Sequence, residues 1–356
     1  GWREMKKKKK GLRRAGMVSG IFFLLVAGIL LFYTIREYRP DPVETLEPSK
    51  GSRIVSTSES LKIITYNTGY GGLSAGEDFF MDGGRKVSPE SKTLVEENLN
   101  GISETLKKYP ADVYFLQEVD RNSSRSYNID ETAWYEKELG MDGIFACNFK
   151  CDFVPYPIPP IGKVDSGIFT MTDLKVDSAS RIALAESFSW PVKTCNLKRC
   201  MLETRIPLEG TEKELVLINF HLEAYDSGEG KIAQSRMLAK KLEEEYEKGN
   251  YVIAGGDFNQ TFEGTDTYPI QNEEYWKPGK MEESDLPDHF SFAVDDTYPT
   301  CRLLNQPYTG SYEDSQVYVI DGFLVSDNVE VLQCQVQNTE FQYTDHQPVF
   351  LEVKFR

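Results

Sequence analysis

Near the middle of the chain an apolar run ends in two polar residues. Val252-Ile253-Ala254 leads through Gly255-Gly256 to Asp257-Phe258-Asn259. The apolar residues predict a buried strand, and the glycines let the backbone bend tightly where it stops. Asp257 and Asn259 stand two apart, on one side of an extended backbone. A carboxylate and a carboxamide placed there can grip a water and a polar substrate. Taken alone, the stretch is equally well an Asx-type turn after a strand. The arrangement recurs, however. Leu61 to Tyr66 ends at Asn67, Asp112 to Gln117 ends at Glu118, and Glu214 to Phe220 ends at His221. Asp321 interrupts the apolar run from Gln316 to Val325, and Thr344-Asp345-His346 precedes the last strand. Of the three histidines, only His289 falls outside this pattern, and it reads as a loop residue.

Strand ends on one edge of an α/β sheet converge on one crevice. Asn67, Glu118 and Asp345 offer hard oxygen donors. These suit Mg²⁺, with Mn²⁺ or Ca²⁺ as alternatives, and argue against zinc. So few protein ligands leave positions open for water and a phosphate oxygen. His221 and His346 can donate to a charged phosphorane or exchange a proton with water or leaving group. Asp321 inside an apolar strand is costly without a partner. It is expected to orient one of the histidines.

The positioning elements follow from periodicity. Residues 90–108 predict a helix, with Leu94, Leu99, Ile102 and Leu106 near a 3–4 spacing. Residues 229–247 predict another, with Ile232, Leu238 and Leu242 inward and Glu243-Glu244-Glu245 as a solvated face. Further strands are expected at Asp165 to Thr170, Cys200 to Ile206 and Val329 to Val336. Residues 121–165 are less regular, and Pro155 to Pro160 read as a surface loop beside the site. Residues 261–290 are polar and loop-like. No internal repeat or second linker divides residues 61–356.

The amino-terminal part differs in character. The chain opens Gly-Trp-Arg-Glu, so either Met5 or an upstream residue is the expected natural start. Residues 1–14 hold eight Lys/Arg against Glu4 alone, and residues 15–35 are uncharged. As helix, that run spans roughly the 30 Å of a bilayer's hydrocarbon core. A cleaved signal peptide is the competing reading, but Phe32-Tyr33-Thr34-Ile35 offers no small-residue cleavage site. An uncleaved single-pass anchor in the cell membrane is favoured. The basic flank then stays cytoplasmic and the catalytic domain is extracellular. Residues 36–60, rich in Pro, Glu, Ser and Thr, read as a flexible linker.

Of the chain's 40 basic and 56 acidic residues, 29 and 51 fall after residue 50, a net of −22. Such a body repels polyanions and shows no overall basic footprint for nucleic acid. A local basic groove is compatible with that total. All six cysteines lie in this part, where disulfides or buried thiols are both open. The close pairs Cys147/Cys151 and Cys195/Cys200 lack zinc-type spacing.

In their order, Thr65-Tyr66-Asn67, Leu116-Gln117-Glu118, Ser166-Gly167, Asn219-Phe220-His221-Leu222, Gly256-Asp257-Phe258-Asn259, Ile320-Asp321 and Thr344-Asp345-His346 resemble the endonuclease/exonuclease/phosphatase superfamily across residues 61–356. The resemblance implies a four-layer α/β sandwich, two mixed β-sheets face to face between helices, preceded here by the transmembrane helix. It also implies metal-dependent phosphoester hydrolysis. By this likeness Glu118 is the main metal ligand, helped by Asn67 and Asp345. Asp257 orients or deprotonates the attacking water, and Asn259 and His221 hold the scissile phosphate. His346, paired with Asp321, stabilises the transition state or transfers a proton. Which histidine is the acid stays open.

Abasic-site nucleases of this superfamily often carry an acid two residues after the first Asn, where this chain has Gly69. His221-Leu222-Glu223-Ala224 is similar to a stretch of the sphingomyelinases. The expected substrate is therefore a lipid headgroup or small phosphoester rather than DNA, acted on by a monomer. The alternative is a surface-tethered metal-dependent nuclease, which needs Arg121, Arg125, Lys163, Lys198 and Arg199 to form a basic groove. Every catalytic position carries a competent residue, which argues against a non-catalytic binding module.

Overall fold

The computed structural model describes residues 2–226 and 228–356. Two sheets form its frame. The first has six strands in the order β17-β18-β3-β4-β6-β5. These are β3 (Ser60–Asn67), β4 (Val113–Asp120), β5 (Gly143–Val154), β6 (Gly162–Thr172), β17 (Val329–Val336) and β18 (Val349–Phe355). The second follows the order β1-β7-β8-β9-β10-β16-β13, with β2 beside β8. Its strands are β1 (Val43–Leu46), β2 (Val55–Ser56), β7 (Ser178–Ala183), β8 (Cys200–Glu209), β9 (Glu214–His221), β10 (Tyr251–Asp257), β13 (Phe290–Ala293) and β16 (Asp321–Ser326). Two short ribbons complete the set: β11 (Gln260–Phe262) with β12 (Gly279–Met281), and β14 (Cys301–Arg302) with β15 (Val317–Tyr318).

Strand periodicity divides the apolar residues between cores. Leu61, Ile63, Val113 and Phe115 share one cluster with Leu215, Leu217, Ile253 and Phe323, so it lies between the sheets. The alternate residues Ile64, Tyr66, Tyr114 and Leu116 meet Val95, Leu99, Ile102 and Leu106 of helix α2 (Lys92–Lys108) and Tyr135 of α3 (Glu131–Leu139). On the other side Val216, Ile218 and Val252 meet Leu238 and Leu242 of α4 (Glu229–Glu247). With both faces covered, central strands read as unbroken apolar runs. The result is helix, sheet, sheet, helix. The amino-terminal helix α1 (Trp2–Arg36) is long and apolar enough to cross a membrane, and its last turn touches the body.

Several expectations need correcting. The linker at 36–60 is not a free tether. Val43–Leu46 pairs antiparallel with β7, and Val55–Ser56 pairs with β8. An open sheet edge supplies hydrogen bonds that the local composition does not advertise. The 121–165 segment holds α3, capped by Asp130 at its start and by Gly140 in the left-handed region at its end. On α4, Ile232 is 51% exposed while Lys231 is buried, and Glu245 is buried rather than solvated. Residues 261–290 include the β11–β12 ribbon. Asp321 opens β16 instead of interrupting a longer strand, because β15 ends at Tyr318 and residues 319–320 belong to neither strand. All six cysteines are free thiols. His289 lies on the surface, as expected, stacked on Tyr246.

Candidate active site

Register builds the centre of the site. Asp257 at the end of β10 pairs with His221 of β9 on one side and Asp321 of β16 on the other. Gly256 allows this. A Cβ there would fall 1.9 Å from the carbonyl oxygen of Phe220, so a larger residue would push the strands apart. Across the inter-sheet space, Asn67 closes β3. Its Nδ2 donates to Glu118 Oε1 and to Asp257 Oδ2, both at 3.0 Å. Glu118 sits in a bulge of β4 between Leu116 and Val119, with φ of +53°. A bulge re-aims a side chain, here out of the ladder and into the cavity. Asn259 is likewise held at φ of +50°. Positive φ at two bulky polar positions is strain of the kind found at functional sites.

His346 completes the row. Its Nδ1 lies 2.8 Å from Asp321 Oδ2, and its Nε2 lies 3.6 Å from Asp257 Oδ2. His221 Nε2 approaches the same Asp257 oxygen at 3.3 Å. The surroundings shift the two imidazoles in opposite directions. Burial disfavours charge on His346, but Asp321, Cys301, Asp345 and Asp257 outweigh it and raise its pKa well above the usual value. Burial, with Arg199 and His346 adding to it, drops His221 well below. Asp257 itself is pushed up to about 6, by burial first and then by the charge of Asp321. Asn259 donates from its backbone to Asp257 Oδ1 at 2.8 Å and from Nδ2 to Leu222 O at 2.8 Å, so the turn is fixed.

All eight expected residues, Asn67, Glu118, His221, Asp257, Asn259, Asp321, Asp345 and His346, therefore gather at one end of the sheets. Asn67 departs from its expected part as an oxygen donor. Its Oδ1 accepts from the Gly69 amide at 3.0 Å, so it turns its nitrogen toward the carboxylates. Gly69 is confined too. It has φ of +52°, and a Cβ would meet Thr344 Oγ1 at 2.8 Å and Asp345 Oδ1 at 3.1 Å.

A hard divalent cation fits the remaining donors. Asp345 is raised to about 7, by burial first and then by the charge of Glu118, against the pull of His346 and Arg302. Two carboxylates with too little positive charge between them are what such an ion relieves. Cys301 stands with Asp345 and His346, their ligand atoms within 4.8 Å of one another. Burial raises the Cys301 thiol well above its ordinary value.

Sequence reasoning missed the layer beneath. Gln117 Nε2 donates to Asn219 Oδ1 at 2.8 Å and to Thr65 Oγ1 at 3.1 Å, while Asn219 Nδ2 donates to Phe169 O at 3.1 Å. This buried amide pair ties the two sheets together directly under the reacting groups. Both residues stood inside the quoted motifs, and the strand alternation that aims Asn67 and His221 inward aims them inward too. Arg302 was missed as well. Its guanidinium donates to Ser74 O and Glu77 O, and its backbone N–H donates to Asp345 O.

These groups floor a cavity of about 530 Å³. Its walls are largely apolar, with Phe79, Phe80, Val154, Tyr156, Ile161 and Phe188 among them. Of the five residues of the expected basic groove, only Arg125 and Arg199 line it. Arg125 is held by Asp120 and Arg199 by Glu223, while Arg121 pairs with Asp165 and Lys198 with Glu37 and Glu186.

Comparison with known proteins agrees with this geometry. The sequence profile of the Endonuclease/Exonuclease/phosphatase family matches residues 64–346. A search of curated proteins finds no match. Among solved structures, an endonuclease/exonuclease/phosphatase from Beutenbergia cavernae superposes with a TM-score of 0.58 at 17% identity, over 83% of this chain and 72% of that one. The Bacteroides vulgatus protein of the same description gives 0.53 at 17%, over 84% and 100%. The human Nocturnin catalytic domain with bound sulfate gives 0.52 at 15%, over 85% and 97%. At these identities the likeness establishes the fold, and the profile establishes the family. The chain belongs to the endonuclease/exonuclease/phosphatase family, whose members are phosphoester hydrolases.

Proposed function

We propose that the chain is a membrane-anchored, divalent-metal-dependent phosphodiesterase or phosphatase acting on a lipid headgroup or small phosphoester. The observation that carries this is the row of His221, Asp257, His346 and Asp321, in which two imidazoles approach one carboxylate at 3.3 and 3.6 Å and a second carboxylate holds His346 at 2.8 Å. Glu118 and Asp345 would hold the cation, with Asn67 fixing Glu118 in place. When bound, Mg²⁺ (or Mn²⁺ or Ca²⁺) supplies positive charge that polarises a phosphate oxygen. Asp257, near pKa 6 and free of any lysine or arginine partner, orients the attacking water and takes its proton. His221, neutral, donates a hydrogen bond to the phosphate. His346, held charged by Asp321, neutralises the charge that builds on the phosphoryl group and can return a proton to the leaving oxygen. Asn259, locked by two hydrogen bonds, positions the phosphate.

The apolar cavity walls and the carboxylate partners of Arg125 and Arg199 favour a lipid or small ester over nucleic acid. The uncleaved anchor and the extracellular placement of the catalytic domain belong to the same reading, resting on α1 and its basic flank. The test uses the full chain in nanodiscs with Mg²⁺, against sphingomyelin, phosphatidylinositol, a bis-aryl phosphodiester and plasmid DNA. Lipid or small-ester hydrolysis that EDTA and Asp257→Ala both abolish is expected. Plasmid cleavage exceeding the others would make the chain a tethered nuclease instead.

A further inference from the structure

The end of α1 does not hang free of the catalytic body. Tyr33 packs against a buried cluster of Phe149, Cys151, Val154 and Val164, on which Ile161, Cys195 and Leu197 also lie. Phe149, Val154, Ile161, Cys195 and Leu197 line the active-site cavity from its other side. Around this contact, Trp190 Nε1 donates to Thr34 Oγ1 at 3.0 Å and Arg36 pairs with Asp152 at 2.6 Å. Glu37, nearly buried, pairs with Lys198 at 2.9 Å. Six residues later β1 begins and joins the sheet. The junction is therefore a fixed joint, and the last turn of the apolar run leans on the outside of the cavity wall.

That fixes where the cavity rim lies. Tyr33 and Thr34 are the end of the uncharged run, and so stand at the depth where a spanning helix leaves the hydrocarbon. Whatever touches them stands at the membrane surface. The neighbours are apolar and exposed. On the β5–β6 side Phe153 and Tyr156 are exposed and Ile158 is 95% exposed; on the other, Trp190 and Val192 are exposed. Aromatic residues of this kind belong at a bilayer interface, and the prolines on either side of Tyr156 and Ile158 restrict the loop's backbone freedom. A continuous rim, from the helix end to the cavity mouth, has the composition of a membrane-seated surface.

We propose that the cavity opens onto the bilayer that holds α1. Its rim loops, 153–158 and 190–192, seat in that leaflet, and the phosphoester it takes is a lipid headgroup of the same membrane. This rests on the hydrolytic reading above and narrows it to substrate entering sideways from the bilayer. The apolar upper walls accept the glycerol or ceramide end, and the acid–histidine floor meets the phosphate.

Two measurements on the full chain in nanodiscs separate the parts. In the first, Ile158→Trp is compared with Leu332→Trp in the presence of lipid brominated high in its acyl chains. Leu332 is also exposed, but it lies on β17, the opposite edge of the sheet from β5. Each variant's added fluorescence over the parent is read. Quenching by about half or more at 158 with none at 332 is expected; no quenching at 158, or equal quenching at both, overturns the orientation. In the second, Ile158→Glu is assayed on the nanodisc lipids and on a soluble bis-aryl phosphodiester. A charge seated in the leaflet is expected to lower lipid hydrolysis about tenfold or more with the soluble ester unaffected. Equal rates for parent and variant on lipid overturn the inference and leave the hydrolase standing. Soluble-ester hydrolysis with none of the lipids cleaved overturns the lipid source. If the parent hydrolyses nothing, the hydrolytic reading falls, and the quenching pair still decides the orientation.

Discussion

Two groups of buried carboxylates in this molecule are held in opposite ways. Beneath α4, Glu245 receives Arg205 at 2.6 Å, Lys248 at 2.7 Å, Lys241 at 2.9 Å and the amide of Asn250 at 3.0 Å. Burial works to raise its pKa, but these cations override it and hold it down to about 2. At the catalytic end, no lysine or arginine side chain pairs with Asp257 or Asp345; imidazoles, the Asn67 amide and the Thr344 hydroxyl stand beside further carboxylates, and the two rise to about 6 and about 7. All three carboxylates are shielded from solvent, Glu245 under a thinner layer of protein than the other two. What differs is counter-charge. The first is closed by its own side chains and gives stability. The second lacks counter-charge, which a cation, a water and a phosphate can supply.

Mutations should divide the two groups cleanly. The largest effect expected is on catalysis: Asp257→Ala lowers kcat/KM by about a thousandfold or more, read on whichever phosphoester the parent hydrolyses. Glu245→Ala should leave that rate nearly intact. It should instead destabilise the fold by about 3 kcal/mol, seen as a lower Tm, because three cations lose their shared partner. Should Glu245→Ala abolish activity at full stability, the division of labour proposed here is wrong.

Adding Mg²⁺ at about a hundred times its Kd should stabilise the parent by about 2.7 kcal/mol. Glu118→Gln and Asp345→Asn should lose most of that gain, while Glu245→Gln keeps it. The pH responses also differ in sign. Activity should climb as pH rises through about 6, where Asp257 gives up its proton. It should fall again at higher pH as His346 loses its own. The Glu245 contribution to stability is present above the ordinary glutamate value of 4.5 and disappears as pH drops toward about 2. Smallest of all, Asp257→Asn should raise the stability of the metal-free protein at pH 7, by on the order of 1 kcal/mol. A carboxyl raised in the folded state makes ionisation oppose folding once pH exceeds the unfolded value. A Tm that drops in this variant would show that Asp257 is better compensated than its neighbours suggest.

Residues that close an apolar strand were readable in the sequence because a polar group at that place breaks a pattern. Asn67, Glu118, His221 and Asp257 all announced themselves this way, and Asp321 did so by interrupting an apolar run. The bulge that turns Glu118 inward was not readable, since it depends on how β4 meets β6. The Glu243-Glu244-Glu245 run looked uniformly solvated. Only the approach of Arg205 from β8 makes its last member an interior residue. Asp130 and Gly140 did carry cap signals for α3, in a stretch whose prolines and scattered charges masked them. Val43–Leu46 had nothing local to mark it, because its stability comes from the edge of β7.

That last strand changes what happens if the catalytic body is ever severed from its helix. A cut after Leu46 would remove β1 and uncover the edge of β7, leaving a row of unpaired N–H and C=O groups able to template a second copy. A cut amino-terminal to Glu37 would carry β1 along, together with the Glu37–Lys198 pair, and release a body with its edge still closed. Some ten residues in the position of the break thus separate a shed, soluble enzyme from a seed for aggregation.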